Sequence, residues 1–122
     1  MTEYRRHNFK KMKIWILSME IVKQVFDITD TFPTHEKFGL KSQMDRCSVS
    51  IPSNIAEGSS RTNKSFRHFI DIALGSSFEL QTQLLLAQHR NYITIDKAEE
   101  LENKIEEFQR MTMSFQNTLT SE

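Results

Sequence analysis

Four histidines, one cysteine and a run of carboxylates are the residues of this 122-residue chain from which chemistry could be built. His7, His35, His68 and His89 stand at no metal-ligand spacing from one another or from Cys47, so no metal site is expected. Glu99, Glu100, Glu102, Glu106 and Glu107 crowd one stretch. A di-iron bundle needs Glu-x-x-His pairs on its helices, and the sequence has none, so these acids read as a solvated face. Cys47 sits among apolar positions at helical spacing, the setting of a small buried residue rather than a nucleophile. As a lone cysteine it forms no internal disulfide, which points to a reducing, cytoplasmic compartment. The serines of SVSIPSN and GSSRTN have no histidine base nearby in sequence, and Gly39, Gly58 and Gly75 make no phosphate-binding loop. The expectation is a non-enzyme without catalytic residues, metal or cofactor.

The basic residues allow a different chemistry. Arg5, Arg6, Lys10, Lys11 and Lys13 cluster around Tyr4 and Phe9, a pattern suited to contacting nucleic-acid phosphates. The alternative is an ordinary solvated terminus, and the formal net charge of zero favours it. Charge is nevertheless uneven. Residues 1–67 carry 12 Lys+Arg against 7 Asp+Glu, and residues 68–122 carry 4 against 9. A neutral chain split in this way has a dipolar surface, which suits head-to-tail docking between copies.

The elements that must hold these residues are helices. Three glycines and two prolines are too few for a β-sandwich or barrel. Apolar residues recur at three- and four-residue steps in four stretches, predicting helices over about 9–31, 40–57, 64–90 and 95–119. The core stripes are Ile14, Leu17, Ile21, Val25 and Ile28, then Met44, Cys47, Ile51 and Ile55. Phe66, Ile70, Ala73, Leu80 and Leu84 follow, and then Leu101, Ile105, Phe108 and Thr112. Thr62 or Asn63 is placed to cap the third helix, and Thr94 or Asp96 the fourth. Pro52 lies inside the second helix, where its missing amide is expected to leave the Ser48 carbonyl without a donor and to kink the helix, and Gly58 is the expected stop. Short connections make residues 1–122 one all-α domain, an antiparallel up-down-up-down four-helix bundle. No run of apolar residues approaches a membrane span.

Two helices carry more apolar surface than these stripes use. Trp15, Met19, Val22 and Phe26 form a second row on the first helix, and Leu74, Phe78 and Leu85 a shorter one on the third. They either widen the core or form a subunit interface. The second is the expectation, because exposed aromatic rows invite aggregation unless covered. Two unlike patches dock head to tail and close into a ring where the rotation allows.

Several motifs resemble those of a known family. They are FP-x-x-E-x-x-GL (Phe32, Pro33, Glu36, Gly39, Leu40), SIPSNIAEG with its Pro52, Asn54, Glu57 and Gly58, the following Arg61, and F-x-x-A-x-GS from Phe69 through Ser76 with Glu79. The chain resembles the bacterial four helix bundle proteins, also called the 23S rRNA intervening-sequence protein family. That resemblance implies a four-helix fold, a ring-shaped homopentamer and no enzymatic activity. A related branch, the accessory proteins of diversity-generating retroelements, binds nucleic acid through a strongly basic surface. This neutral chain departs from that branch, so the expected partner is another copy of itself. The motif residues are expected to act structurally, with Asn54, Glu57 and Arg61 tying the end of the second helix to the third or to another subunit.

Overall fold

The computed structural model describes residues 7–120. Four α-helices carry the chain: α1 (Lys13–Thr29), α2 (Leu40–Ser59), α3 (Asn63–His89) and α4 (Ile95–Thr118). Two 3-10 turns, Phe9–Lys11 and Thr34–Glu36, precede α1 and α2. Each helix packs on two others, α1 on α2, α2 on α3, α3 on α4 and α4 on α1, leaving α1 and α3 at opposite corners. Thr29 near the end of α1 bonds Asp45 early in α2, and Arg67 at the start of α3 bonds Gln116 and Leu119 at the end of α4. This is the register an up-down-up-down path requires.

The core is the apolar inventory read from the spacing except for Leu17, which is only half-buried at its edge. Ile21, Val25, Met44, Ile51, Ile55, Phe66, Ile70, Leu80, Leu84, Leu101, Ile105 and Phe108 are all fully buried. Burying each removes about 1.5–3 kcal/mol of apolar exposure, which is why the bundle needs no covalent staple. No helix among the described residues is long and apolar enough to cross a membrane.

Local chemistry sets the boundaries. Thr62 accepts a hydrogen bond from the Ser65 amide at 3.3 Å and caps α3. Thr94 does the same for α4 with the Lys97 amide at 3.2 Å, so Asp96 lies inside the helix rather than at its cap. The first helix begins four residues later than its periodicity suggests. Asn8 accepts from the Lys10 amide, and Met12 is extended, so Phe9–Lys11 forms a separate turn. Phe9 thereby folds back onto Trp15, with ring centroids 5.3 Å apart.

Gly58 does not stop α2. It is buried inside the helix, which runs on to Ser59, and its φ is not positive. A Cβ there would meet Phe66 Cδ1 at 2.7 Å and Phe69 Cβ at 2.8 Å. The glycine exists for close approach of α3, not for a left-handed cap. The left-handed cap occurs at the end of α3. Asn91 adopts φ 62°, its amide donates to Gln88 O at 2.9 Å, and the Tyr92 amide donates to Ala87 O at 3.0 Å. This paired closure satisfies two terminal carbonyls. Asn91→Val is expected to cost about 1–2 kcal/mol, since a β-branched residue is strained there, whereas Asn91→Gly stays within a few tenths. Urea denaturation of the two variants distinguishes them.

Candidate interaction surfaces and the motif network

Glu36 is the centre of the first motif. Pro33 starts the turn Thr34–Glu36 after buried Phe32, and the turn delivers the Glu36 carboxylate to the start of α2. There Oε1 accepts from the Leu40 amide at 3.0 Å and Oε2 accepts from the Tyr92 hydroxyl at 2.7 Å. Gly39 is the N-cap residue but has no side chain to offer, and its missing Cβ is what admits the carboxylate. A Cβ would lie 2.6 Å from Glu36 Oε1. Glu36 thus caps α2 from outside the helix and ties it to the segment after α3, where Tyr92 also packs on Phe32 at 5.2 Å.

The Leu40 amide and then the Tyr92 hydroxyl hold the Glu36 carboxyl below its ordinary value of 4.5. A depressed carboxyl stabilises the fold above its unfolded pKa and loses that contribution as pH falls through the folded value. Stability should therefore decline in acid below about pH 4.5, and Glu36→Gln should flatten that decline. Denaturant midpoints at neutral and acid pH for both proteins measure the difference.

The second motif is also a packing device. Pro52 is buried within α2. Around it the Ser50 hydroxyl donates to Cys47 O at 2.6 Å and Asn54 Nδ2 donates to Ser50 O at 2.7 Å, while the carbonyl that loses its helical donor to the proline is that of Ser48. Glu57 and Arg61 form an ion pair at 2.9 Å, and the Arg61 guanidinium lies over the Phe69 ring of α3 at 5.3 Å. Of the three residues expected to make the tie, only Arg61 reaches α3, since Asn54 bonds within α2 and Glu57 bonds Arg61.

Cys47 is buried and its thiol donates to Ser76 O at 3.1 Å. Burial, and then the Glu79 charge, push its pKa up to about 12, so it remains a protonated thiol at neutral pH. Among the described residues no serine or cysteine is hydrogen-bonded to a histidine. No cluster of three His, Cys, Asp or Glu side chains there could hold a metal ion. Among the described residues Lys41 is the most connected cation, donating to Asp30 and Asp45 at 3.0 Å each and to Thr29. Its hydrogen bond to Asp45, and next that to Asp30, raise its pKa.

The second apolar rows are only partly outward. Val22 and Leu74 are buried, 6% and 8% exposed, and so belong to the interior of the single chain rather than to an outer face. A square four-helix core takes a wider arc of each helix than a two-helix seam does, and these two residues fall within it. Trp15 and Met19 are half-buried, Trp15 being covered on one side by Phe9. Phe26, Phe78 and Leu85 do face outward, at 40%, 47% and 45%. They are joined by neighbours that the sequence reading left out: Ile16 on α1, and Ile72 and Leu86 on α3, all exposed. Phe38, before α2, is the most exposed large apolar side chain, with Lys37 over its ring at 5.4 Å. Ile16 had a signal, since it stands one turn before Met19, whereas Ile72 stands at no one-turn step from Leu74, Phe78 or Leu85.

The basic cluster divides. Arg5 and Arg6 lie outside the described residues. Lys10, Lys11 and Lys13 are exposed beside the end of α2, where the His7 amide donates to Ser59 O at 3.2 Å. His7 itself packs against Phe66 and Phe115, with centroids 5.2 and 5.8 Å away. A polar seam between α3 and α4 was also not foreseen. Gln109 Nε2 donates to Ser77 Oγ and Gln81 Oε1, and Gln81 Nε2 donates to Glu102.

The fold is shared with a crystal structure of a protein of unknown function from the S23 ribosomal protein family of Bacteroides thetaiotaomicron. The two are 24% identical, with a TM-score of 0.78 over 85% of this chain and 95% of that one. Among curated proteins, none matches. The sequence matches the family described as 23S rRNA-intervening sequence protein over residues 10–114, a span that holds all four helices up to the last turn of α4 as well as the Glu36 and Gly58 motifs. The chain belongs to the 23S rRNA-intervening sequence protein family.

Proposed function

We propose that this protein is a non-catalytic homo-oligomeric interaction module, assembled as a ring of five copies and acting as a scaffold in the cytoplasm. The observation that carries this reading is the outward apolar row on each of two diagonal corners, Ile16 and Phe26 on α1 and Ile72, Phe78, Leu85 and Leu86 on α3. Rows of this kind are usually covered in solution. Placed at opposite corners and unlike in composition, they suit a head-to-tail contact that closes on itself. The number five comes from the family resemblance alone. Light scattering tests the reading: a mass near five times 14.4 kDa supports it, and 14.4 kDa overturns it.

A second reading, an RNA- or nucleoprotein-binding accessory factor, draws on exposed Lys10, Lys11 and Lys13 together with Lys64 at the start of α3. With zero formal charge and an acidic α4, sequence-specific affinity is expected to be weak. Tight RNA binding that falls steeply with added salt would favour this reading.

A further inference from the structure

No segment of its own chain packs against Gly75. It is exposed in the middle of α3, and a Cβ built there meets nothing within 4 Å. A mid-helix glycine costs helix stability relative to alanine. Here, unlike at Gly58, no neighbouring segment uses the space.

The residues around Gly75 give the space a shape. Ile72, Gly75, Glu79 and Thr82 run along the outer face of α3 at steps of three, four and three. Ile16, Met19, Lys23 and Phe26 run along α1 at the same steps, all exposed except half-buried Met19. The two rows also lie at similar height. On one side of the bundle Thr29 bonds Asp45, and Ser50 bonds Ser76. On the other side Ile14 and Met111 line one groove, and Gln109 bonds Ser77 and Gln81. Followed around either side, these contacts set Ile16–Phe26 level with Ile72–Thr82 to within about two turns. Both helices run against α2, so they point the same way.

We propose that α1 of one copy docks in parallel on α3 of the next, with Met19 seated on Gly75 and Lys23 paired with Glu79. This rests on the homo-oligomeric reading above and specifies its contact. In a ring whose axis runs along the bundle, every copy stands at the same height, so residues at the same level meet. Ile16 then faces Ile72, and Phe26 faces Thr82 between Phe78 and Leu85. Steps of three and four residues on parallel helices are the spacing of knobs entering holes. Glycine admits the bulkiest flexible knob, the Met19 thioether. The charges are complementary: Glu79 accepts from Gln83 Nε2 at 3.4 Å and lies near the Cys47 thiol, yet among the described residues neither it nor Lys23 forms an ion pair within its own chain.

The test uses the full-length chain, with light scattering for mass and circular dichroism for fold. Gly75→Leu fills space that is open within the single chain, so helicity should be kept while the mass falls to 14.4 kDa. Lys23→Glu and Glu79→Lys should each raise the dissociation constant about tenfold or more, and the double exchange should restore assembly. Assembly that persists in Gly75→Leu, or a charge exchange that restores nothing, overturns the contact. Should Gly75→Leu not fold, the charge exchange alone decides. Wild-type protein of monomer mass would overturn the oligomeric reading as well, whereas assembled wild type with an assembled Gly75→Leu overturns only this register.

Discussion

Gly58→Ala is expected to destabilise the bundle by about 2 kcal/mol, although alanine is the better helix former. The two effects oppose each other. Replacing a mid-helix glycine gains about 1 kcal/mol of propensity. Forcing a methyl into a filled interior costs about 1–3 kcal/mol or somewhat more. The second wins because the new Cβ would stand 2.7 Å from the ring of fully buried Phe66 and 2.8 Å from Phe69 Cβ. A Cβ is fixed to its backbone and cannot swing aside, so α2 and α3 must separate. Gly75→Ala is the control. It adds the same methyl where nothing lies within 4 Å and should not destabilise the single chain. Urea midpoints of the two variants, measured at protein concentrations low enough to leave the chain monomeric and moving in opposite directions, would establish that the two glycines serve different ends. Equal shifts would refute it.

Phe66→Ala should be more damaging still, at about 3–5 kcal/mol. Phe66 is fully buried, touches the Gly58 position, and stacks with Phe115 at 5.5 Å and His7 at 5.2 Å. Truncation removes the aromatic contact between the start of α3, the end of α4 and the segment before α1, leaving the Arg67 hydrogen bonds to Gln116 and Leu119. A loss of this size is a large share of the 5–15 kcal/mol that holds a typical domain together. The same variant offers a second readout. With the ring gone, Gly58→Ala meets one obstacle fewer, so its cost in the Phe66→Ala background should shrink. A double-mutant cycle from equilibrium denaturation measures that coupling, and strict additivity would show that the two positions do not compete for space.

Much of this architecture was legible in the sequence because it rests on periodicity. The ends of α2, α3 and α4 fall within one or two residues of their expected positions, since Leu40, Thr62 and Thr94 are marked by local chemistry. The start of α1 was not, because the break at Met12 depends on how Phe9 folds onto Trp15, a contact that the spacing of apolar residues does not encode. Gly58 was misread for a related reason. A glycine near a helix end serves equally well as a stop or as a place of close approach, and only the position of Phe66 and Phe69 on another helix decides. Val22 and Leu74 were assigned to an outer face by their angle from a narrow seam, whereas four packed helices bury a broader arc. Glu36 was recognised as part of a motif, but its capping of α2 through the Leu40 amide needs the geometry of the preceding turn. Where charge and apolar rows meet on the outer faces of α1 and α3, the sequence supplied the spacing and the structure supplied the level.

Three of the four helix seams join neighbours in sequence, and only that between α1 and α4 brings together segments from the two ends of the bundle-forming chain. The three local hairpins close short loops, which is the cheap part of forming a chain topology. The α1–α4 seam alone requires a closure spanning nearly the whole chain. That asymmetry sets an order of events: α2 and α3, locked by Gly58 and Phe66, are the natural early pair, and α1 meeting α4 is the natural last step. In hydrogen-exchange terms, amides of α2 and α3 should open only with global unfolding, while those of α4 exchange through a smaller and more frequent opening.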